Sequence, residues 1–593
     1  MIVPMKKMTL VISARDHDAA LYKLRDLGVV HISNVKAPES EELPKIEKKL
    51  AKVDRALLAV KGGDASSESI DAKAAEKIVD TIVSLSARKE SLQGDLNEMK
   101  TKERWFNEWG AVSKASIDAL RNAGIVIRFH VCTKKALKNI SVDQTIVVLN
   151  QTKDTVHLVH FTDMSSPGLD LAEDPMPPIE IASLRRDMEK NRQSIDDIDT
   201  QLKSMAAESA KLVSYRKQLE TQREFALAKY GMGEVESFVY LQGYCPVDDV
   251  EAVKRLSERE VWGYIVQDPD DPDETPTLVH NPKWLRIIRP VYAFMGTIPG
   301  YAEFDISFWF LLFFSLFYAM LVGDAGYGLV FLAATIAARI KLKNLPWEPF
   351  GLMFVLSGAT IIWGTITGTW FGMAGILEWK PLAFLGAFVI EPISSINGSQ
   401  DFMMLLCFFI GAVHLTIAHS LIAIRIIRTP NAVAQLGWIA VIWSLFFVAQ
   451  TLVLGRPSRP FVLPLLIAGF LAIGLFENYQ KNAAIKGALS SLANLPLSVI
   501  SAFSDVVSYL RLFAVGVATF IVAGSFNQMA SELMGGVVGT AVAAMTIFLG
   551  HTINIVLAVM AVVVHGIRLN MLEFSGHLSM QWSGKAYRPF IKR

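Results

Sequence analysis

The sequence predicts an α-helical membrane protein with about eight transmembrane helices and an N-terminal cytoplasmic arm of α/β lobes and an antiparallel coiled coil. Three observations support this fold class. Residues 1 to about 300 hold most of the charge, and two long heptad repeats lie within them. Residues 306–575 are a succession of apolar runs long enough to cross a bilayer. We therefore expect two domains, a cytoplasmic arm over 1–300 and a membrane domain over 301–593.

Composition narrows the class of protein. The chain has 593 residues, too many for one soluble domain, with 19% charged and 52% hydrophobic residues. A net charge of +1 leaves no basic surplus for neutralising phosphates, so nucleic acid is not an expected partner. Cys132, Cys245 and Cys407 lie far apart, which favours reduced thiols. The N-terminus has no apolar signal-peptide core, so we expect the first half to stay in the cytoplasm.

Three patches of the first half have the alternation and glycine breaks of small α/β lobes. They comprise a strand–helix–strand unit over 5–33, strands over 125–132 and 145–161, and a strand, helix and strand over 238–243, 250–256 and 264–267.

Two heptad stretches separate these patches, at about 40–108 and 180–225. Their apolar seams are Leu43, Ile46, Leu50, Val53, Leu57, Val60, Ile78, Ile82, Leu85, Leu92, Leu96 and Met99, and then Ile181, Leu184, Met188, Ile195, Ile198, Leu202, Met205, Leu212 and Leu219. Such seams specify supercoiled helices. The lobe over 110–175 lets the chain reverse, which favours an antiparallel pair within one chain, and a homodimeric coiled coil is the alternative.

Motifs for covalent chemistry are missing from the sequence. No Walker A pattern occurs, because Gly584-Lys585 is followed by Ala586 and lacks the preceding glycine and strand. No nucleophile elbow or zinc-type histidine motif is found either. We expect no catalytic residues, no cofactor and no bound metal.

The second half contains eight predicted spans, at about 306–322, 325–340, 350–372, 402–425, 433–454, 461–477, 496–530 and 539–575. The first two form one run of 35 residues, which as a single helix would measure about 52 Å. That length exceeds the apolar core of a bilayer, so a break is predicted at Gly323-Asp324-Ala325-Gly326. The last two spans are also overlong and have no strong internal break, so tilt or projection from the membrane is expected.

Loop charges orient these spans. Eight crossings place both termini on one side, and a cytoplasmic N-terminus gives eleven inside basic residues against three outside. The inside residues are Arg339, Lys341, Lys343, Arg425, Arg428, Lys481, Lys486, Lys585, Arg588, Lys592 and Arg593, and the outside residues are Lys380, Arg456 and Arg459. The bias satisfies the positive-inside rule, so both termini are expected in the cytoplasm.

Arg511 and Arg568 lie well inside the last two apolar runs. An arginine at the bilayer centre costs about 2.5–3.5 kcal/mol on insertion scales, so each needs a partner or a wet cavity. At 100° per residue each arginine belongs to a polar stripe. The stripe of Arg511 contains Ser504 and Ser508, and that of Arg568 contains Asn554, Ala561 and His565. Snorkelling or a structural ion pair is the alternative interpretation.

Arginine chemistry suggests a function for the two stripes. A guanidinium stays protonated, so it cannot relay a proton, but it attracts a carboxylate and favours its ionised form. A fixed arginine therefore makes a carboxylate that moves past it release its bound ion. The same positive charge blocks direct passage of ions between the path by which the ion enters and the path by which it leaves.

Several segments together resemble the a/I subunit of V-type and archaeal A-type ATPases, in its compact prokaryotic form. SYLRLFA and HGIRLNMLEF are similar to the signatures of that family's last two helices, LVGDAGYG to its first hairpin and GTITGTWFG to its third span. PTLVHNPKWLRIIRPVYAFMGTIPGYAEFD resembles the linker from arm to membrane, and LQGYCP a Gly-aromatic-x-Pro stretch. Their order and spacing run the length of the chain.

The resemblance implies a stator subunit that is not itself catalytic. Its expected partners are a proteolipid rotor ring bearing the ion-carrying carboxylate, peripheral stalk subunits, the central-stalk cap subunit and the catalytic head, all at a prokaryotic cell membrane. The resemblance carries over to Arg511, Arg568 and His565 as ion-path residues.

Two positions depart from the eukaryotic pattern. Thr519 stands where those members often have histidine, and Ala558 where they often have glutamate. The half-channel residues therefore stay open, with Glu573, Asp505 and Asp324 beside His565 as candidates that could equally be structural. The choice between H⁺ and Na⁺ also stays open.

Two other classes fit parts of the sequence. A secondary transporter would show paired, interrupted helices in two related halves, whereas this chain has one broken hairpin and no internal repeat. A membrane tether would use the arginines only to hold the bundle together. Co-purification with an ATPase head and proteolipids would discriminate a stator from both.

Overall fold

A computed structural model describes residues 1–60, 71–137, 145–151, 155–163, 169, 171–373, 383–394, 398–479 and 484–592, with side chains from residue 490 in the last range. Residues 62–64, a Gly-Gly-Asp segment that interrupts the first heptad seam in the sequence, lie outside these residues. The loop charges Lys380, Lys481 and Arg593 also lie outside them, as does the side chain of Lys486.

The N-terminal half alternates strands and helices. In chain order its elements are β1 Met5–Ser13, α1 His17–Leu27, β2 His31–Ser33, α2 Glu42–Val60, α3 Ala72–Trp109, α4 Lys114–Asn122, β3 Ile125–Thr133, α5 Lys134–Leu137, β4 Thr145–Gln151, β5 Thr155–Asp163, α6 Ile181–Ser204, α7 Ser209–Tyr230, β6 Gly233–Val235, β7 Phe238–Pro246, α8 Val250–Arg259, β8 Gly263–Gln267, β9 Pro276–Thr277 and α9 Arg289–Met295. The three strand-rich patches predicted from the sequence are confirmed.

These strands form two main sheets. The first and third patches join in one five-stranded sheet of order β2-β7-β1-β8, with β6 paired to β7. The second patch forms an antiparallel sheet of order β3-β5-β4. Helix α1 ends at Gly28, whose φ of 69° is the left-handed conformation that glycine adopts without strain.

The two heptad stretches pack on each other within one chain. Their shared apolar core includes Val53 and Ile82 from the first stretch and Ile198, Leu212 and Leu219 from the second. Four ion pairs show the relative direction of the two stretches, because residues later in the first stretch pair with residues earlier in the second. The pairs are Glu47–Arg223, Asp54–Arg216, Lys89–Asp199 and Glu103–Arg185. The helices of the two stretches are therefore antiparallel.

The second half is a set of apolar helices. They are α10 Ser307–Val322, α11 Ala325–Lys341, α12 Trp347–Thr367, α13 Gln400–Arg425, α14 Asn431–Leu454, α15 Val462–Phe476, α16 Ala484–Ser508, α17 Leu510–Leu533 and α18 Gly536–Ala561, followed by α19 Ser575–His577 and β10 Lys585–Ala586.

Each predicted span coincides with an apolar helix. Among the described residues, five helical stretches are long and apolar enough to cross a membrane alone, or six if the bent pair α10–α11 counts as one span. Helix α15, with 15 residues, is shorter. A multi-pass membrane protein follows, and the number of eight crossings stays a prediction.

The predicted break between the first two spans is confirmed. Helices α10 and α11 meet at an angle of 118°. Gly323 ends α10 with φ of 69°, and Asp324 caps α11 by accepting from the N–H groups of Gly326 and Tyr327.

Both of the last two spans carry irregularities that the sequence did not reveal. The helical stretch Ser490–Leu533 is interrupted at Tyr509, between α16 and α17. The stretch Gly536–His577 contains two π-helical turns, Val562–Gly566 and Leu569–Phe574, on either side of Arg568. Such turns interrupt α-helices frequently at functional sites.

Residue contacts divide the chain into two compact units. One comprises Met1–Met8, Tyr244–Leu256 and Ile265–Pro589, and the other Thr9–Gly243, Ser257–Tyr264 and Phe590–Arg593. The predicted boundary at residue 300 and the cytoplasmic place of the arm remain predictions.

Candidate functional site

Both membrane arginines contact the same carboxylate. Arg511 Nη2 donates to Glu573 Oε1 at 2.6 Å, and Arg568 Nε lies 3.4 Å from the same oxygen. Ser508 Oγ donates to that oxygen as well, at 3.0 Å. The structure thus brings together four of the residues singled out in the sequence, from α16, α17 and the last helical stretch.

The charges of this cluster do not balance. Two guanidinium groups face one carboxylate, which leaves one net positive charge. The Glu573 side chain is only 3% exposed, whereas those of Arg511 and Arg568 are 28% and 52% exposed. Glu573 Oε2 is buried and has no hydrogen-bond partner among the described residues. The cluster therefore has both a surplus charge and a free acceptor.

The π-helical turn explains the contact between Arg568 and Glu573. Five residues along an α-helix are about 140° apart, so an α-helical Glu573 would point away from Arg568. The turn Leu569–Phe574 has i→i+5 spacing, which brings the two side chains to one face. A structural ion pair, one of the two interpretations of the arginines, is thus present in the fold.

The interruption at Tyr509 sets the start of α17. The Tyr509 ring is fully buried, and its hydroxyl lies 2.8 Å from His414 Nδ1. The His414 ring is stacked between Phe313 and Phe574, with centroid distances of 3.9 and 4.2 Å. Because Tyr509 is two residues before Arg511 and Phe574 follows Glu573, this buried contact fixes both halves of the ion pair.

A polar cavity of about 510 Å³ borders the cluster. Its charged and titratable lining consists of His419, Glu477, Asp505, Arg568, Glu573 and His577. We call it the polar cavity. A second cavity of about 210 Å³, between α10, α12 and α17, is lined mainly by apolar side chains and by none of the charged candidates.

A separate polar cluster lies farther along α17 and α18. His551 contacts the Tyr327 hydroxyl at 2.7 Å and Asn527 Oδ1 at 3.0 Å. Asn554 donates to the same hydroxyl and to the Thr519 carbonyl, at 2.9 Å each. These residues, Tyr327, Asn527, His551 and Asn554, form what we call the amide–histidine cluster.

The remaining candidates have different surroundings. Asp505 lies in the polar cavity, His565 is half-buried and Ser504 is exposed. Asp324 is 2% exposed and accepts from four backbone N–H groups, those of Gly326, Tyr327, Phe371 and Gly372. Those bonds occupy both carboxylate oxygens, so the geometry of Asp324 is that of a cap and loop clamp.

The two positions that depart from the eukaryotic pattern are both buried. Thr519 donates to the Val515 carbonyl of its own helix at 3.0 Å. Ala558 belongs to the apolar core beside α10. Neither side chain faces the polar cavity.

Sequence reasoning missed His419, His577, Tyr327, Asn527 and His551. Their contact partners lie at least 16 residues away in the chain, so no local spacing predicts the contacts. A histidine inside a predicted span was the available signal, because an intramembrane ionisable group is expensive without a partner.

The described residues contain no group of three or more His, Cys, Asp or Glu side chains that could hold a metal ion.

Comparison with known proteins gives the family. The chain is 31% identical over 611 residues to "V-type ATP synthase subunit I" of Borreliella burgdorferi, and the match covers 100% of both chains. The chain belongs to the V-type ATP synthase subunit I family. A second family member, "V-type ATP synthase subunit I 1" of Treponema pallidum, is 28% identical over 629 residues, again with 100% coverage of each. No protein-family model matches the chain.

One solved structure covers the N-terminal part. It is the cytoplasmic N-terminal domain of subunit I, a homologue of subunit a of V-ATPase, and it matches 44% of this chain and 99% of its own. The TM-score of 0.27 at 16% identity is too low to support a conclusion about the fold. Full-length similarity to the subunit I proteins and the apolar helices together identify a multi-pass membrane subunit of a rotary ATPase, which acts in a complex with other ATPase subunits.

Proposed function

We propose that this subunit I is the stator that provides the ion path against a rotor ring of proteolipids. The observation that carries the proposal is the surplus positive charge where Arg511 and Arg568 meet Glu573. A second positive charge on one carboxylate is costly among apolar helices. The other two carboxylates that line the polar cavity, Glu477 and Asp505, form no ion pair with either arginine among the described residues, and Asp505 contacts His577 instead. A carboxylate from another chain would neutralise the surplus charge, and both arginines keep exposed surface for such a partner.

The proposed mechanism follows from the fixed charge of arginine. A rotor carboxylate that arrives with its ion gives the ion up, because the guanidinium of Arg511 favours the ionised form. The same charge repels a cation that moves directly from one access path to the other. Glu573 holds Arg511 in place at 2.6 Å while no rotor carboxylate is present.

Two polar regions support separate access paths. Arg511 is at the start of α17, and Asn527 of the amide–histidine cluster is 16 residues farther, about 24 Å along the helix. The polar cavity is on the other side of the arginines from the amide–histidine cluster. Its lining includes Asp505, which precedes Arg511, and His577, which follows Arg568, and Glu477 lies beside them. In the predicted topology Glu477 and His577 are next to cytoplasmic connections, so the polar cavity would be the cytoplasmic path.

We further propose a role in the assembly for the N-terminal half. The N-terminal half would bind peripheral stalk subunits and, near the rotor, the central-stalk cap, so that the catalytic head stays fixed while the ring turns. The antiparallel helix pair suits such a spacer because it is long and stabilised by its own apolar seam. The subunit itself would perform no catalysis, and both termini would be cytoplasmic at a prokaryotic cell membrane.

Replacement of Arg511 by alanine tests the ion path. Arg511→Ala should abolish ATP-driven ion uptake in vesicles that contain the whole complex, because the rotor carboxylate then keeps its ion. The complex should still assemble, and its detached head should still hydrolyse ATP. Arg511→Lys should also be severely impaired, since an ammonium lacks the planar fork that holds a carboxylate and its neighbours together.

Arg459→Ala is the matched control. Arg459 also lies in the membrane half, but it packs over the Phe447 ring and away from the cluster. Normal assembly of Arg511→Ala with uptake at the rate of the Arg459→Ala control would show that Arg511 only holds the bundle together, and the proposal would then be wrong.

A further inference from the structure

Three titratable side chains form a hydrogen-bonded row in the polar cavity. Asp505 Oδ2 of α16 is 3.2 Å from His577 Nε2 of α19, and His577 Nδ1 is 2.9 Å from His419 Nε2 of α13. His419 Nδ1 lies 2.7 Å from the side-chain amide of Gln435 on α14. The row therefore links the consecutive helices α13 and α14 to α16 and α19, which lie farther along the chain.

Proton positions in this row can be worked out from its ends. A neutral imidazole has one donor and one acceptor nitrogen, and an imidazolium has two donors. If the Gln435 oxygen faces His419, then His419 donates through Nδ1 and accepts at Nε2. His577 must then donate through Nδ1, and it can bond ionised Asp505 only by donating through Nε2 as well. This arrangement requires a charged His577.

A second arrangement has one proton less. The oxygen and nitrogen of a glutamine amide are exchanged by a half-turn of the amide group. The Gln435 N–H then donates to His419 Nδ1, His419 Nε2–H donates to His577 Nδ1, and His577 Nε2–H donates to Asp505. Every contact is satisfied again, so the same row accommodates two protonation states.

Conversion between the two arrangements moves a proton along the row. A proton that binds His419 Nδ1 lets the Nε2 proton pass to His577 Nδ1, which produces the charged arrangement. His577 then releases its Nε2 proton to Asp505, which passes it to water in the polar cavity. One proton has entered at His419 and one has left from Asp505, and both imidazoles are neutral with the remaining proton on Nδ1. Each imidazole must return this proton to Nε2, by exchange with water or rotation of the ring, before the next transfer, and the reverse order carries a proton from Asp505 to His419.

The row is next to the arginine site. Arg568 and Glu573 line the same cavity from the last helical stretch, Glu477 lines it from the end of α15, and α14 contributes only uncharged Gln435 and Trp438. The volume of about 510 Å³ has room for on the order of ten waters, enough to connect Asp505 to Glu573.

We infer that His419, His577 and Asp505 are a proton relay on the cytoplasmic side of the arginine site, so that the transported ion is H⁺ rather than Na⁺. The inference rests on the proposed ion path and specifies its ion. An imidazole can accept a proton on one ring nitrogen and release one from the other, as a proton relay requires. A hard cation prefers a cage of oxygen ligands, whereas nitrogen atoms make most of the contacts in this row.

Chemical rescue distinguishes a relay from a packing role. In vesicles that contain the complete ATPase, His577→Ala should lower ATP-driven proton uptake by about 10²- to 10⁴-fold, the usual contribution of a positioned proton-transfer group. Added imidazole can enter the enlarged cavity and should restore part of the uptake, with a dependence on pH that follows its own titration. His280→Gln, which changes an exposed histidine outside the apolar helices, is the control and should match the wild type.

His419→Gln provides a second variant that keeps the side-chain volume and a hydrogen bond. It should also slow uptake and flatten its pH profile, although imidazole should rescue it less because no space is created. If His577→Ala does not assemble, His419→Gln alone decides the question.

The experiments separate a failure of the proton relay from a failure of the proposed ion path. Uptake at the wild-type rate and pH profile in His419→Gln, or Na⁺ uptake by the wild-type complex, would overturn the relay and leave the ion path intact if Arg511→Ala is inactive. Loss of uptake in His577→Ala without imidazole rescue, together with a wild-type pH profile in His419→Gln, would also overturn it. Normal uptake in Arg511→Ala would instead overturn the proposed function.

Discussion

Glu573 receives all its polar contacts on one oxygen. Oε1 accepts from Arg511 and Ser508 and lies near Arg568, while Oε2 has no hydrogen-bond partner among the described residues. A buried carboxylate with strong donors on one side is held in a single orientation. Its second oxygen is buried as well, but it can still accept a hydrogen bond from one further donor, such as a water that enters from the polar cavity. At the scale of a residue, Glu573 is thus both a counter-ion and an acceptor.

The charge balance of the cluster can be tested by paired substitutions. Glu573→Gln raises the net charge of the cluster from +1 to +2 and should destabilise the subunit by about 3–5 kcal/mol, as for other buried pairs that lose one partner. Adding Arg568→Gln returns the charge to +1 and should recover much of that loss. Thermal unfolding of the solubilised complex, measured for both single variants and the double variant, gives the coupling.

If the losses in stability of Glu573→Gln and Arg568→Gln simply add up in the double variant, the two residues do not act together as one charged cluster. Ser504→Ala is a suitable control, because Ser504 is on the same helix as Ser508 but is exposed. It should leave the unfolding temperature unchanged.

At the scale of elements, α11 and α12 are packed so closely that only glycine fits between them. A Cβ on Gly364 of α12 would lie 2.1 Å from the Ala325 nitrogen and 2.7 Å from its Cα, at the start of α11. Contact with backbone cannot be relieved by a rotamer change. Since Asp324 caps α11 at this point, the contact also holds the bend between α10 and α11.

Gly364→Ala should therefore destabilise the protein by about 1–3 kcal/mol, the usual cost of overpacking. Gly358→Ala on the same helix is the matched control, because its Cβ would meet nothing within 4 Å. The control should be neutral or slightly stabilising, since alanine is the better helix former. Thermal unfolding of both variants compares them, and equal unfolding temperatures would contradict close packing at Gly364.

The elements also show what the sequence could predict. Heptad seams, apolar runs and the Gly-Asp break are local patterns, and the corresponding helices and the bend occur in the structure. The prediction of a polar stripe around Arg568 assumed a regular α-helix, with 100° between successive residues about the helix axis. The π-helical turn Val562–Gly566 lies between Asn554 and Arg568 and changes the angle between them. Asn554 bonds Tyr327 in the core, whereas Arg568 pairs with Glu573.

At the scale of the whole molecule, long-range contacts set the limit of prediction. Arg511 and Arg568 were found from the sequence because a charge in an apolar run is visible by itself. The row from Asp505 to His419 was not, since its members come from three distant segments and each alone could be a core residue. Only the packing of α13, α16 and α19 brings them together.

The orientation of the molecule in the membrane remains a prediction with a direct test. From the bias of basic residues among the loops, the first 300 residues should face the cytoplasm. A protease added to inside-out vesicles should digest this half, and the same protease outside right-side-out vesicles should not. Digestion only in right-side-out vesicles would overturn the topology and the stator function together.

The π-helical turns around Arg568 have a consequence for how this segment can change in evolution. A π-helical turn holds one residue more than the α-helical turn it replaces, so deletion of a single residue between Arg568 and Glu573 would convert the turn Leu569–Phe574 to regular α-helix. The two side chains would then be four residues apart, which is about 40° on an α-helix, so they would still share a face. A deletion in the turn Val562–Gly566 would move Arg568 and Glu573 together and would also leave them on one face. Homologous chains can therefore be one residue shorter in this stretch and still pair the arginine with a carboxylate.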